Sequence, residues 1–238
     1  VKHVALSLTG EPINYPKINE IINLFHKEKI STFLVTNGQY PEELKDLPPI
    51  TQLYISLDAP SKEILKKVSQ PLFTDHWERL NKSLEYLSEK KERTCLRFTL
   101  MREINMCDLE GYSKLIQKAD PDFLEIKAYM FVGSSRQRLD LKNMPFHEDM
   151  VNFSKALVKY LPDYEIVAEH IPSRIVLLAK KKYKKNGKWH TWIDFDKFFN
   201  KEEDYSRETP ETGLSGKGTK ERMKVDEKTE ELEFWKED

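Results

Sequence analysis

Carboxylates, hydroxyls and an amine recur at the ends of alternating apolar segments in this 238-residue chain, and their placement is the first sign of chemistry. Glu11 stands between Gly10 and Pro12, at the end of a stretch in which Ser7, Thr9 and Glu11 alternate with Val4, Leu6 and Leu8. A carboxylate on a backbone left bare by glycine and fixed by proline is placed to hold a cationic group of a ligand. Ser56 and Asp58 repeat the arrangement in a second segment, Arg97 and Thr99 in a third, and Glu125 and Lys127 in a fourth. A lysine beside a carboxylate on a strand also permits imine chemistry with a keto acid. Any one of these is equally a satisfied polar residue at a strand end, but four together describe a lined pocket.

The elements that must position these residues alternate regularly. The spacing predicts a helix from Pro16 to Lys29, a strand from Thr32 to Gly38 and a short helical stretch over Glu42–Asp46. A strand over Thr51–Asp58 follows, and then a helix capped by Ser61 with Glu63 in its first turn. A helix over Asp75–Lys91 precedes a strand over Thr94–Met101, and a helix over Asp108–Lys118 precedes a strand over Asp122–Tyr129. Strand followed by helix, repeated, is the pattern of a parallel sheet with crossover helices. A doubly wound sheet would need strands apolar on both faces. One face of several strands here is polar toward the C-terminal ends, where a β/α barrel keeps its site. The fold expected is therefore α/β, a partial TIM-like barrel over residues 1–161.

Gly133–Asn143 is expected to be a loop over the barrel mouth, with Arg136 and Arg138 available to phosphates. A helix over Pro145–Leu161 leads to a C-terminal β extension at 162–200, comprising strands at Tyr164–His170 and Arg174–Lys180 and a hairpin turning at Asn186-Gly187. That hairpin mixes Lys181, Lys182, Lys184 and Lys185 with Trp189 and Trp192. Amines neutralise phosphates and indole faces stack on unpaired bases, although a basic hairpin is also ordinary solvated surface. Residues 201–238 carry 8 basic and 13 acidic side chains and few apolar ones, so a disordered tail is expected there. The whole chain has net charge -1, which leaves +4 on residues 1–200. No apolar run approaches the roughly 20 residues of a membrane span. Two cysteines twelve apart, Cys95 and Cys107, match no disulfide framework or metal site, which fits a reducing, cytoplasmic setting.

In this order, Leu6-Ser-Leu-Thr-Gly-Glu-Pro12, Leu34-Val-Thr-Asn-Gly38, Gln52–Ala59, Pro71-Leu-Phe73, Pro121–Lys127, Tyr164–His170 and Trp189–Phe195 closely resemble blocks of the radical S-adenosylmethionine (SAM) 4-demethylwyosine synthases. These are lyases of wybutosine biosynthesis, and the resemblance covers residues 1–195. It implies that Gly10, Glu11 and Pro12 bind the amino group of SAM and that Ser56 and Asp58 meet its ribose. Thr36, Asn37 and Thr99 would line the same cavity, with catalytic Lys127 and Glu125 across from them. It further implies a 4Fe-4S cluster yielding a deoxyadenosyl radical, N1-methylguanosine in phenylalanine tRNA as substrate, pyruvate as two-carbon donor, and a flavodoxin-like electron donor.

The family's cluster-binding CxxxCxxC is absent, and two cysteines cannot hold an iron cube. The chain is accordingly expected to be a fragment lacking the first barrel strand, with no metal ligands of its own and no activity alone. Two other functions remain open to it: an inert tRNA-binding barrel and a Schiff-base aldolase-type barrel.

Overall fold

The computed structural model describes residues 1–7 and 10–215. Strand and helix alternate as the spacing predicts: β1 (His3–Leu6), α1 (Ile18–Lys27), β2 (Ser31–Thr36), α2 (Pro41–Lys45), β3 (Gln52–Ser56), α3 (Lys62–Ser69) and α4 (His76–Ser88). They continue as β4 (Thr94–Leu100), α5 (Leu109–Ala119), β5 (Phe123–Ala128), α6 (His147–Leu157), β6 (Tyr164–His170) and β7 (Ile175–Lys180). Seven strands form one sheet in the order β1-β2-β3-β4-β5-β7-β6. The first five are parallel, while β7 runs antiparallel to both β5 and β6. The orientation of the last two follows from their connection. A single turn at Ile171–Ser173, closed by Arg174 at φ 50, is far too short for the crossover a parallel pair requires.

Alternation along the strands decides what each face buries. Leu34, Leu53, Ile55, Leu96, Phe98, Leu100, Leu124 and Ile126 pack against Ile22, Leu44, Leu65, Leu84, Ile116 and Met150, so α1–α6 all cover one face. Tyr164, Val176 and Leu178 belong to the same core, which makes β6 and β7 part of the barrel sheet rather than an appendage. The opposite, open face is apolar at the starting ends of the parallel strands. There Cys95, Phe123, Val167, Ala179 and Tyr183 form a second cluster bordered by Tyr54, Leu177, Trp189 and Leu214. Toward the finishing ends it becomes polar, with Ser56, Asp58, Arg97, Thr99, Glu125 and Lys127 all partly exposed.

Beyond β7 the chain folds beneath the starting ends of β3, β4 and β5 and gives the open face a floor. The expected hairpin is present as β8 (Lys184–Lys185) and β9 (Lys188–Trp189). Positive φ at Asn186 (51°) and Gly187 (79°) supplies its tight primed turn. Next come β10 (Trp192–Ile193), α7 (Phe195–Phe199) and β11 (Ser206–Arg207), with β10 and β11 paired. The expectation of disorder from residue 201 onward therefore fails for residues 201–215. The buried Tyr205 hydroxyl donates to the Thr51 carbonyl (3.1 Å) and accepts from the Arg93 amide (2.8 Å). Thr209 donates its amide to the Trp189 carbonyl (2.7 Å) and accepts at its hydroxyl from the Thr191 amide (2.8 Å). A charged average composition concealed these two anchoring side chains. Residues 216–238, and Thr9 on the first pocket strand, lie outside the described residues.

Candidate cofactor and keto-acid site

Gly10 adopts φ +75, a conformation that favours glycine, and turns the chain so that Glu11 reaches β2. The Glu11 Oε2 atom accepts from the Asn37 amide (2.8 Å). Its Oε1 is buried, with no hydrogen-bond partner among the described residues. Burial pushes this carboxyl above the usual carboxylate range, against the opposing influence of the Asn37 amide and of the nearby Thr36 hydroxyl and Ile13 amide. One oxygen is thus held by the backbone, and the other is an acceptor that a buried ammonium group would satisfy.

Asp58, just past β3, accepts at Oδ1 from the Thr99 amide (2.8 Å). Burial is the largest influence on it and pushes its carboxyl up to about 6, against the Thr99 amide and hydroxyl and the Arg97 guanidinium. The Asp58 backbone is fixed by Asn105, whose Nδ2 donates to the carbonyls of Asp58 (2.8 Å) and Thr99 (2.9 Å) while its Oδ1 accepts from the Met101 amide (2.6 Å). The Asn105 carbonyl in turn accepts from the Tyr112 hydroxyl (3.0 Å). This fully buried asparagine staples the finishing ends of β3 and β4 beyond the last ladder pairs. Nothing in its sequence surroundings distinguishes it beyond an Asn in a short non-helical stretch.

Register completes the site. Arg97 lies opposite Glu125, and Thr99 opposite Lys127. The Arg97 Nε donates to Glu125 Oε1 at 2.8 Å, and its guanidinium sits 5.6 Å from the Tyr54 ring centroid. Lys127 is half-buried, and its amine makes no hydrogen bond or ion pair among the described residues. Asp58, Thr99 and Lys127 therefore occupy adjacent strand ends on one face, with the Arg97–Glu125 pair one step deeper.

Other expected site residues fall elsewhere. Thr36 is buried (1% exposed) on the helix-facing side of β2, where its hydroxyl accepts from the Gly38 amide. Asn37 contributes its backbone amide to Glu11 while its side chain caps the Gln39 amide (2.9 Å). Ser56 is half-buried on the open face beside Arg97. Pro12 opens the turn after Glu11. Arg136 and Arg138 are exposed on the loop after β5, at the same end as Lys127. The hairpin lies at the other end. Tyr183 packs 4.7 Å from Phe123, four residues and roughly 13 Å of strand below Lys127. Three of its four lysines already meet carboxylates, Lys182 with Asp122 (2.6 Å), Lys184 with Glu165 (2.8 Å) and Lys185 with Asp204. Trp189 borders the floor cluster, and Trp192 is 45% exposed. The structure does not bring the hairpin and the pocket together.

Helices on one face of a mainly parallel sheet, with carboxylates gathered at the strand ends of the other, define a β/α half-barrel. The profile of the Radical SAM superfamily matches residues 1–116 and that of wyosine base formation matches residues 118–180. The chain belongs to the radical SAM superfamily, in the branch that carries the wyosine domain. It is 46% identical over 231 residues to the S-adenosyl-L-methionine-dependent tRNA 4-demethylwyosine synthase TYW1 of Xenopus laevis, a match covering 91% of this chain and 31% of that protein. It is 48% identical over 226 residues to the tRNA 4-demethylwyosine synthase of Oryza sativa subsp. japonica, covering 90% of this chain and 35% of the relative. The solved structure of TYW1 with a lysine-pyruvate adduct bound is similar with a TM-score of 0.70 at 36% identity, over 78% of this chain and 59% of that one. The chain thus spans 31% and 35% of the length of these curated relatives.

Family membership implies SAM and a 4Fe-4S cluster. The residues present fit the first, because the orphaned Glu11 Oε1 is an acceptor suited to its ammonium group. They do not fit the second. Cys95 is buried in the floor cluster and Cys107 is exposed on the loop between β4 and α5. Among the described residues no three His, Cys, Asp or Glu side chains gather as metal ligands. No helix among the described residues is long and apolar enough to cross a membrane.

Proposed function

We propose that this chain supplies the SAM- and keto-acid-binding portion of a tRNA-modifying radical SAM lyase. The enzyme would condense N1-methylguanosine of phenylalanine tRNA with two carbons of pyruvate to form 4-demethylwyosine. One observation carries this reading: Lys127 stands in register beside Thr99, whose amide holds Asp58, so an amine and a cofactor-binding carboxylate share one pocket end. Glu11 would accept the SAM ammonium group at Oε1, and Asp58 its ribose hydroxyls. SAM held there would, beside a reduced cluster, supply a deoxyadenosyl radical. The Lys127 amine attacks the pyruvate carbonyl carbon and expels water, which fixes the keto acid within reach of the same pocket.

Arg136 and Arg138, at the pocket end, meet tRNA phosphates, and the hairpin lysines with Trp189 and Trp192 form a second, outlying contact. Electrons for the cluster come from a flavodoxin-like domain or protein. A tRNA substrate and two free thiols support a cytoplasmic location for the enzyme.

The test uses the full-length protein that contains this chain, incubated with SAM, pyruvate, a reductant and tRNA carrying N1-methylguanosine. Nucleoside mass spectrometry should detect 4-demethylwyosine with wild type and none with Lys127→Arg. Undiminished product from the Lys127→Arg protein would remove Lys127 from the mechanism.

A further inference from the structure

We propose that the cavity between α3 and α4, with Leu72 at its rim, receives an unpaired nucleotide of the RNA substrate adjoining the one that is modified. The proposal rests on the tRNA-modifying reading above and adds where a neighbouring nucleotide is held. Pro71-Leu-Phe73 takes no part in the cofactor and keto-acid site, yet its loop lies at the same end of the sheet. The Gln39 Nε2 donates to the His76 carbonyl (3.1 Å), and the Arg79 Nη1 donates to the Gln39 carbonyl (3.0 Å). The Tyr40 and Phe73 rings meet edge-on at 5.7 Å. Gln39 and Tyr40 follow Asn37, whose amide holds Glu11, so the loop borders the pocket mouth on its β2 side. It stands on the helix-covered side of that mouth, which makes its occupant the neighbour of the reacting base rather than the base itself.

A lone exposed leucine is ordinary on a protein surface. Leu72 differs because it is 94% exposed while both of its flanks are fixed. Gln70 closes α3 at φ 45, Pro71 restricts the backbone that follows, and the Phe73 ring lies 4.0 Å from the Arg79 guanidinium. An apolar tip on an immobile base offers contact area at little cost in entropy. Beside it opens a cavity of 490 Å³ whose wall includes Glu63, Lys66, Phe73 and His76. His76, only 5% exposed, donates from Nδ1 to the Phe73 carbonyl (3.1 Å), a group that can only accept. In the uncharged ring Nε2 is then an acceptor, and it is buried with no hydrogen-bond partner among the described residues. Such an acceptor calls for a donor, which a nucleotide offers from its ribose hydroxyl and from its base. Lys62 is paired with Glu78 (2.7 Å), whereas Lys66 makes no hydrogen bond or ion pair among the described residues and is available to a phosphate beside the Glu63 carboxylate. No side chain caps the first turn of α4, and the Asp75 carboxylate at that end is held by Arg79 (2.9 Å), so the helix amides add to the attraction for a phosphate. Apolar rim, unsatisfied acceptor and unpaired amine thus match the base, ribose and phosphate of one nucleotide. A base within a duplex has its faces covered, so the nucleotide that enters is an unpaired one.

The test uses the full-length protein and an anticodon stem-loop RNA carrying N1-methylguanosine, with 2-aminopurine placed on one side of that base or the other. Because Leu72 is exposed, Leu72→Ala leaves the fold intact. Binding to wild type should change the 2-aminopurine emission at one of the two flanking positions, as that base leaves its stack. In Leu72→Ala the change should be lost and Kd should rise about tenfold, the scale of one buried leucine side chain, with the salt dependence of binding unaltered. Lys66→Gln should instead lower the salt slope by about one unit. Wild-type affinity and emission in Leu72→Ala overturn the assignment. Equal weakening toward a fully paired RNA of the same length overturns it as well, because a pocket for an unpaired nucleotide cannot affect a duplex. If free guanosine monophosphate binds at Leu72 and the stem-loop does not compete with it, the site takes a mononucleotide and the RNA assignment falls. Failure of wild type to bind the stem-loop at all removes the tRNA reading, and this pocket with it.

Discussion

The raised Asp58 carboxyl makes stability depend on pH in a direction that can be stated in advance. Its carboxyl moves from 3.8 to about 6 on folding, chiefly through burial. A folded-state value above the unfolded one favours the protonated form of the native protein. The contribution is therefore intact below pH ~4 and is lost as pH rises through ~6, by about 3 kcal/mol in full. Of that, about 1.4 kcal/mol falls between pH 5 and pH 8, the range in which a folded protein is practical to study. Asp58→Asn removes the titration yet retains an Oδ1 to accept from the Thr99 amide. Urea denaturation of both proteins at several pH values should show the variant gaining about 1.4 kcal/mol on wild type from pH 5 to pH 8. Effects common to both proteins cancel in that difference. A difference that stays flat, or that moves in favour of wild type at high pH, would refute the account of a carboxyl desolvated by its place between β3 and β4.

In the full-length protein, Glu11→Gln should weaken SAM binding by ~1.5–3 kcal/mol in equilibrium dialysis, and unchanged affinity would place the ammonium group elsewhere. The salt dependence of tRNA binding should lose roughly 1–2 units of slope when Arg136 and Arg138 both become Gln. Changing Lys181, Lys182, Lys184 and Lys185 to Gln should cost less slope, because three of them already sit on carboxylates; a larger loss there would move the tRNA backbone to the hairpin. Tyr205→Phe leaves the buried Arg93 amide without its acceptor and should cost ~1–3 kcal/mol in urea denaturation. No measurable cost would mean that residues 201–207 contribute little to the fold.

Period-two alternation made the pocket legible, because it separates Arg97, Thr99, Glu125 and Lys127 from Leu96, Phe98 and Ile126 without any knowledge of register. Thr36 shows where parity was missed. It shares the side of Leu34, so its nearness to Glu11 comes from the turn at the strand end and not from the open face. Asn105 was invisible because the bond that ties it to the site reaches 47 residues back to the Asp58 carbonyl, which no local pattern encodes. The hairpin turn was readable from Asn186-Gly187, yet its position was not. Which end of the barrel it covers depends on β7 running antiparallel to β5.

The floor has a consequence for the order in which the molecule matures during synthesis. Each parallel strand finds its neighbour soon after emerging, because successive strands pair. The Tyr205 hydroxyl instead reaches back 154 residues to Thr51 and 112 to Arg93. A nascent chain that has completed β5 therefore carries a barrel with its underside uncovered, exposing Phe123 and the Cys95 thiol until Val167, Ala179 and Tyr183 have emerged and packed against them. Contacts of such separation close late. Loss of Cys95 reactivity toward an alkylating reagent would time the closing of the underside, separately from formation of the sheet.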